Sequence, residues 1–85
     1  MKYYVVTFLG ESIDNGAYCN VCCIYTDLKV AKQKMQFVIK EEEKRLILNN
    51  ILYKIEDNGC KVVIRAVDGN WTSTIELHIV DKEEV

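Results

Sequence analysis

The sequence predicts an α+β protein, a five-stranded antiparallel β-sheet with one long helix packed on one face. Three observations support this fold class. Segments near both ends are rich in aromatic and β-branched residues, the middle carries apolar residues at helical spacing, and turns containing asparagine and glycine separate the β-type segments. The predicted order is ββαβββ. Because no linker, repeat or low-complexity segment interrupts it, residues 1–85 are expected to form a single domain.

The first two strands are predicted at residues 2–9 and 17–26, where Tyr, Val, Thr, Ile and Cys predominate. The Asn15-Gly16 dipeptide between them is typical of a hairpin connection. The whole loop, residues 10–16, is longer than a tight turn, so we expect it to project from the sheet.

A single long helix is predicted after this hairpin. Thr26 or Asp27 caps its start, since their side-chain oxygens can accept backbone N–H groups. Its end lies near Asn49 and Asn50, because asparagine tolerates the left-handed conformation that closes helices. The expected length is roughly 30 Å at 1.5 Å per residue. The stripe expected to face the sheet consists of Leu28, Ala31, Met35, Val38, Ile39, Glu42 and Leu46.

Three further strands are predicted at residues 51–56, 60–67 and 72–80. Residues 57–59 and 68–71 separate them, and their Asp, Asn and Gly residues favour hairpin turns. Strands joined by such short turns pair antiparallel.

Composition argues against several classes of partner. The 13 acidic and 11 basic residues give a net charge of −2 and are mixed along the chain, without the basic surface that duplex DNA or an anionic membrane requires. The apolar run at residues 3–9 is too short for a signal peptide with its cleavage site or for a membrane span of roughly 20 residues. The protein is therefore expected to be cytoplasmic, with its four cysteines reduced.

The cysteines allow three interpretations. Cys19, Cys22 and Cys23, with Cys60 and His78, supply enough ligands for a tetrahedral zinc site. However, positions 19 and 22 of a strand face opposite ways, unlike zinc-binding Cys-x-x-Cys pairs on turns. A redox or disulfide role is the second interpretation. Packing of reduced thiols among apolar neighbours is favoured, so we expect no metal or other cofactor.

No pattern in the chain indicates catalysis. His78 is the only histidine, and a nucleophile such as Cys60 would need it nearby together with a third, orienting group. The four glycines are isolated and form no phosphate-binding loop. Glu41 and Glu42 are better explained as a solvated helix face than as a general acid and base. The sequence therefore predicts a protein that is not an enzyme.

Trp71 is the strongest candidate for a ligand or partner contact, because a tryptophan in a turn is unusual. Asn70, Asp68 and Arg65 belong to the same hairpin. Either the ring folds back over the sheet edge or the helix end, or it anchors a partner or stacks on a nucleotide base. The tyrosine-rich strands would also suit single-stranded RNA, although no RNP-type motif or basic groove accompanies them.

Both faces of the first predicted hairpin are apolar, whereas one helix can cover only one face of a five-stranded sheet. We expect a second copy to cover the other face, most simply in a two-fold homodimer that buries Tyr3, Val5 and their neighbours. A cleft between subunits would have Trp71 and the 11–15 loop at its rim. The candidate binding residues are Tyr3, Arg65, Asp68, Asn70 and Trp71.

Residues 2–7 (KYYVVT), the hairpin, and the helix start at residues 26–31 (TDLKVA) resemble small orphan accessory proteins of bacteriophages and prophages of low-GC bacteria. The resemblance covers about the first half of the chain and carries over no functional residue. It implies a compact binding protein, for example an anti-defence protein that blocks a host immune protein or sequesters its nucleotide signal. DNA mimicry is not implied, since the surface is not strongly acidic.

The predicted function is a non-enzymatic binding protein that occupies a host protein surface or a small nucleotide, in the cytoplasm of the host cell if it is phage-encoded. The alternatives are a small metal- or RNA-binding regulator and a structural subunit of a larger complex. Zinc in the purified protein, or a salt-sensitive shift of labelled RNA, would favour the regulator.

Overall fold

The computed structural model of the protein describes residues 1–81. Within that range five strands and one helix follow one another in the predicted ββαβββ order. They are β1 Lys2–Ser12, β2 Gly16–Tyr25, α1 Leu28–Leu48, β3 Tyr53–Asp57, β4 Lys61–Ala66 and β5 Trp71–Asp81. The predicted α+β fold, with one five-stranded antiparallel sheet and one long helix, is confirmed.

All neighbouring strands of the sheet are antiparallel, and their order is β2-β1-β5-β4-β3. The first and last strands of the described chain, β1 and β5, are neighbours inside the sheet. There β1 and β5 face each other from the Lys2 and Asp81 pair to the Ser12 and Trp71 pair without a register shift. The two edges of the sheet are β2 and β3.

Both ends of α1 are closed by residues that the sequence indicates. Asp27 is the N-cap, and its Oδ1 accepts the backbone N–H of Lys29 at 2.8 Å. At the other end Asn50 adopts a left-handed conformation with φ 57°. The backbone N–H of Ile51 then donates to the carbonyl of Leu46 at 2.9 Å, which satisfies one of the free carbonyls of the last turn.

The helix leaves one edge strand, β2, and leads into the opposite edge strand, β3, so it must cross the whole sheet. Five strands about 4.8 Å apart are roughly 19 Å wide, whereas a helix of this length spans about 31 Å. The helix therefore lies diagonally over one face. Two corners of that face remain uncovered, so Tyr18 of β2 and Ile55 of β3 are exposed.

The core lies between α1 and the face of the sheet beneath it. The predicted helix stripe is confirmed, since Ala31, Met35, Ile39, Glu42 and Leu46 are buried while Leu28 and Val38 are partly buried and pack against them. The strands contribute Val6, Val62, Ile64, Ile75 and Leu77. The same burial corrects the interpretation of Glu42 as a solvated acid.

The first hairpin differs from its prediction. β1 continues to Ser12 and β2 begins at Gly16, so the connection is a turn of residues 13–15 and not a projecting loop. Pairing continues because β5 extends as far as Trp71, which faces Ser12 across the ladder. Trp71 is therefore the first residue of a strand, where the sequence indicated a turn.

A β-bulge in β2 changes which side chains share a face. Val6 of β1 faces Cys23, the next residue of β1 faces Val21, and Cys22 has no facing residue. As a result Val21 and Ile24 lie on the same face, opposite α1, while Cys23 packs against the core. Strict alternation along β2, which would separate Val21 from Ile24, is therefore wrong.

Candidate binding surfaces

Trp71 lies on the helix side of the sheet within a polar and aromatic cluster. Its indole Nε1–H donates to Ser73 Oγ at 2.6 Å, and the Arg45 guanidinium carbon lies 4.8 Å from the ring centroid. The ring also covers Gly10, where an added Cβ would lie 2.8 Å from Cη2 of Trp71. The indole is thus folded back between helix and sheet, with its N–H already bonded.

Glu42 connects this cluster to α1. Its side chain is 4% exposed, Oε1 accepts from Arg45 Nε at 2.6 Å, and Oε2 accepts from Ser73 Oγ at 2.7 Å. Both carboxylate oxygens are bonded, which a buried charge requires. Because Arg45 also stacks on Trp71, the contacts close into a ring that fixes the C-terminal half of α1 over the sheet.

A groove of about 480 Å³ runs beside the cluster, between α1 and the uncovered corner of β2. Phe8, Tyr18, Phe37 and Val38 line it together with Glu41, Glu42 and Arg45. Its size suits a small ligand, but its charges disfavour a phosphate. The one cation is already paired with Glu42, and Glu41 adds a second carboxylate.

The five residues predicted to form a binding site lie in three places. Asp68 Oδ1 accepts the backbone N–H of Asn70 at 2.9 Å and so shapes the turn between β4 and β5. Arg65 pairs with Glu56 at 2.7 Å on the face of the sheet opposite α1. Tyr3 is on that same face, on β1, while the tryptophan is on the helix side. A role for each of them in binding stays a prediction.

Sequence reasoning missed the partners of Trp71. One local feature points towards them, because a glutamate on the apolar stripe of a helix must be buried with hydrogen-bond donors. The residues next to these donors in the sequence do not identify them as partners of Glu42. Ser73 is 31 residues away from Glu42 in the chain, and only the fold brings them together.

The face of the sheet opposite α1, called here the open face, has two different halves. The charged half, on β3, β4 and the adjoining part of β5, carries an Arg65 and Glu56 ion pair. Glu56 faces Val63 across the ladder, and Arg65 lies two residues further along the same face of β4. Their long side chains cover the strand beneath, so Val63 is 6% exposed and Thr74 is 8% exposed.

The apolar half of the open face lies on β2, β1 and the end of β5. It is continuous across the ladder, since Val5 faces Ile24 and Tyr3 faces Val80. Both Val21 and Ile24 are 61% exposed. The apolar half consists of Tyr3, Val5, Leu9, Val21, Ile24 and Val80. A contiguous patch of this kind is typical of an interaction site.

His78 lies on the open face between two polar neighbours. Its Nε2 is 3.0 Å from Thr7 Oγ1 and 3.8 Å from Glu76 Oε2. In a nucleophile, base and acid triad the acid contacts the other ring nitrogen, whereas here both neighbours contact Nε2. The carbonyl of Cys60 accepts from the N–H of Leu77, a core residue, so Cys60 is not aligned with His78. This arrangement does not activate a nucleophile.

The four cysteines are free thiols in different environments. Cys19 and Cys60 are exposed, whereas Cys22 and Cys23 are partly buried against the core. Burial, and then the neighbouring Cys23, raises the pKa of the Cys22 thiol above its ordinary value. Within residues 1–81, no group of three or more His, Cys, Asp or Glu side chains is placed to hold a metal ion.

Comparison with protein-family models, curated protein sequences and solved structures gives no match to this chain. In the part of the chain that the structure describes, α1 is not apolar enough to cross a membrane.

Proposed function

We propose that this chain is a non-enzymatic binding protein that acts by occupying a surface of another protein, and that the apolar half of the open face is its contact surface. The observation that supports this proposal is the uncovered position of Val21 and Ile24, each 61% exposed on the edge strand β2. Side chains of this type are usually buried, and a continuous group of them can be shielded from water by a partner.

At the apolar half and in the aromatic groove beside Trp71, the contacts suit a protein rather than a nucleotide. The apolar half contains no lysine or arginine that could pair with phosphate. On the helix side, the Trp71 ring already carries Arg45 at 4.8 Å and its N–H is bonded, so it offers no free stacking surface. The aromatic groove beside it has two carboxylates and one paired arginine, which disfavours a phosphate there as well.

The proposed biological role is anti-defence: the chain would block a host immune protein in the cytoplasm. It rests on the resemblance of residues 2–7 and 26–31 to phage and prophage accessory proteins. A protein that inhibits by covering a surface needs no catalytic group, which agrees with the shared Nε2 contacts of His78.

Site-specific photo-crosslinking in the native host tests the proposal. A benzophenone amino acid replaces Ile24 in the apolar half, and in a matched control it replaces Lys54, which is exposed on the charged half of the same face. We expect a discrete adduct with one host protein from position 24 and none from position 54. Equal labelling from both positions, or none from either, would overturn the proposal.

The captured protein then allows a direct measurement. Purified partner should bind the native chain, lose most of its affinity for Ile24→Lys, and bind Lys54→Glu about as well as the native chain. Charge placed at the centre of an apolar contact costs affinity, while a charge at the rim mainly alters the association rate. Stoichiometric zinc, a salt-sensitive shift of labelled RNA, or thermal stabilisation by a nucleotide would instead support the other classes of function.

A further inference from the structure

The outer edge of β2 is long, uncharged and unpaired. Within residues 1–81 no strand pairs with this edge, since β2 is the first strand of the sheet and its one neighbour is β1. Its ten residues, GAYCNVCCIY, include no Asp, Glu, Lys, Arg or Pro. Residues 16–21 are exposed on both faces of the sheet. An edge of this kind presents backbone N–H and C=O groups to another strand.

The opposite edge is protected in the ways that natural sheets use. β3 has only five residues, and three of them, Lys54, Glu56 and Asp57, are charged. A short, charged edge resists pairing with another chain. The protein therefore blocks one edge of its sheet and leaves the other available.

We infer that a second copy of the chain pairs antiparallel with β2 about a two-fold axis, which joins two sheets into one of ten strands. In such a pair the axis is perpendicular to the sheet, so both copies keep their open faces on the same side. Facing residues must share a face, and one residue therefore faces its own counterpart. The uninterrupted stretch before the bulge is residues 16–21. Its first residue, Gly16, has a positive φ of 78° and belongs to the turn as much as to the strand, so the pairing is centred on Cys19, the middle of residues 17–21.

This register produces compatible neighbours. Cys19 faces its counterpart, Ala17 faces Val21 of the second copy, and Tyr18 faces Asn20 of the second copy. Small side chains lie opposite larger ones, and no charges meet because β2 has none. A two-fold pair of the β3 edge would be half as long, with five residues against ten, and a register centred on Lys54 or on Glu56 would bring like charges together, which is destabilising.

The dimer extends the surface described above. Because the open faces stay on the same side, the two apolar halves become adjacent across the β2 edges and form one continuous strip at the centre of the ten-stranded sheet. This differs from the sequence-based expectation of two open faces packed against each other, which would hide the apolar halves. The inference does not depend on the identity of any host partner.

The size of the contact sets the expected strength. A ten-residue strand is about 34 Å long, and a sheet with its side chains is roughly 10 Å thick. Pairing along the whole edge would thus bury roughly 700 Å² in total, and the five residues that face each other in this register about half of that, which is below the range of stable interfaces. We expect a reversible dimer that dissociates on dilution through the micromolar range.

Two variants with opposite charges at the facing positions 17 and 21 test the register directly. Chain 1 carries Ala17→Lys and Val21→Lys, chain 2 carries Ala17→Glu and Val21→Glu, and both positions are exposed in the single chain. By light scattering each variant alone should have the 9.9 kDa mass of one chain, while an equimolar mixture should regain twice that mass. Self-association that persists in both variants would overturn the inference.

Val80→Lys is the control that separates edge pairing from face packing. Val80 lies in the apolar half but on β5, away from the β2 edge. Edge pairing predicts that this variant still dimerises like the native chain, whereas face packing predicts that its dimer is lost. A native chain that stays monomeric at every concentration would overturn the inference.

Thiol cross-linking gives a second, independent measurement. Facing Cα atoms of antiparallel strands are about 4.5–5.5 Å apart, within the roughly 4.4–6.8 Å that a disulfide spans. A variant whose one remaining cysteine is Cys19 should therefore form a covalent dimer under mild oxidation. A variant whose one remaining cysteine is Cys60 should remain a monomer. Comparable cross-linking of both chains, or none from Cys19 although dimers form, would contradict the proposed register.

Discussion

The two halves of the open face differ in how they are shielded from water, although they belong to one sheet. On the charged half, an Arg65 and Glu56 pair lies beside Val63 and leaves it 6% exposed. On the apolar half, Val21 is 61% exposed on the same face of the edge strand β2. The same residue type is thus protected in one place and exposed in the other.

The difference shows that a helix is not the only means of covering a sheet. Long polar side chains can lie over a strand and bury its apolar atoms while their charged ends stay in water. The chain uses this device on β3 and β4, whereas Val21 and Ile24 of β2 stay exposed. A surface left apolar beside one that is covered in this way is therefore the better candidate for a contact with another molecule.

The largest expected effect is the loss of unfolding free energy when a buried ion pair is broken, compared with the loss when an exposed ion pair is broken. Glu42→Ala removes the bonded partner of Arg45 and Ser73 at a side chain that is 4% exposed. Since Arg45 can still reach water, we expect a loss of about 2 kcal/mol in unfolding free energy, at the lower end for a broken buried pair.

Glu56→Ala is the matched control for this change. It breaks an ion pair of similar length whose side chains are 53% and 62% exposed, and it should cost about 0.5 kcal/mol or less. Urea denaturation of both variants gives the two values. Equal losses would show that burial does not distinguish the pairs and that the charged half depends on its salt bridge for stability.

Two further variants, with a smaller expected change in unfolding free energy, compare the two halves of the open face directly. Val63→Ala removes two methyl groups that the fold buries, and should lower the unfolding free energy by about 1–2 kcal/mol. Val21→Ala changes an exposed position and should stay within about 0.5 kcal/mol of the native chain. In a domain of this size each kcal/mol shifts Tm by roughly 4–8 °C, so calorimetry resolves the difference. A Val21→Ala loss as large as that of Val63→Ala would refute the comparison.

The smallest effects concern the thiols. From the sequence, alanine at Cys19, Cys22 or Cys60 is each expected to cost about 1 kcal/mol. With Cys19 and Cys60 exposed, that value now applies to Cys22 alone, and the other two should cost close to nothing. Titration with a thiol reagent should label Cys19 and Cys60 before Cys22.

The pH dependence of Cys22 has a defined sign. Burial raises the pKa of its thiol, so the folded chain holds this proton more tightly than the unfolded chain does. The contribution of this proton to the unfolding free energy is fully present below the ordinary thiol pKa and is lost as pH rises through the raised pKa. Labelling of Cys22 should therefore increase at higher pH in the folded chain than in the urea-unfolded chain, and an identical pH profile for both states would contradict this.

The elements of the fold were predictable because their determinants are local. The helix is marked by its apolar spacing and by Asp27 and Asn50 at its ends, and both capping interactions are present. The bulge at Cys22 was not predictable, since it arises from how β2 aligns with β1. The position of Trp71 also depends on another element, because Arg45 of the helix covers its ring.

The candidate contact surface was predictable only in outline. An apolar face too large for one helix follows from the composition of the first two strands, and the uncovered Val21 and Ile24 agree with it. What composition does not give is which residues share that face, because the bulge shifts the alternation. It also does not show that Glu56 and Arg65 meet beside Val63, since strand register decides that contact.

The bulge in β2 also affects how the chain tolerates changes in length. Cys22 faces no residue of β1, while Val21 and Cys23 face successive residues there. Deleting Cys22 would therefore leave every other facing pair of the hairpin in place. In a regular strand the loss of one residue turns all those beyond it to the opposite face. Descendants of this sequence can thus lose a codon at this position while the residues on either side of it keep their faces of the sheet.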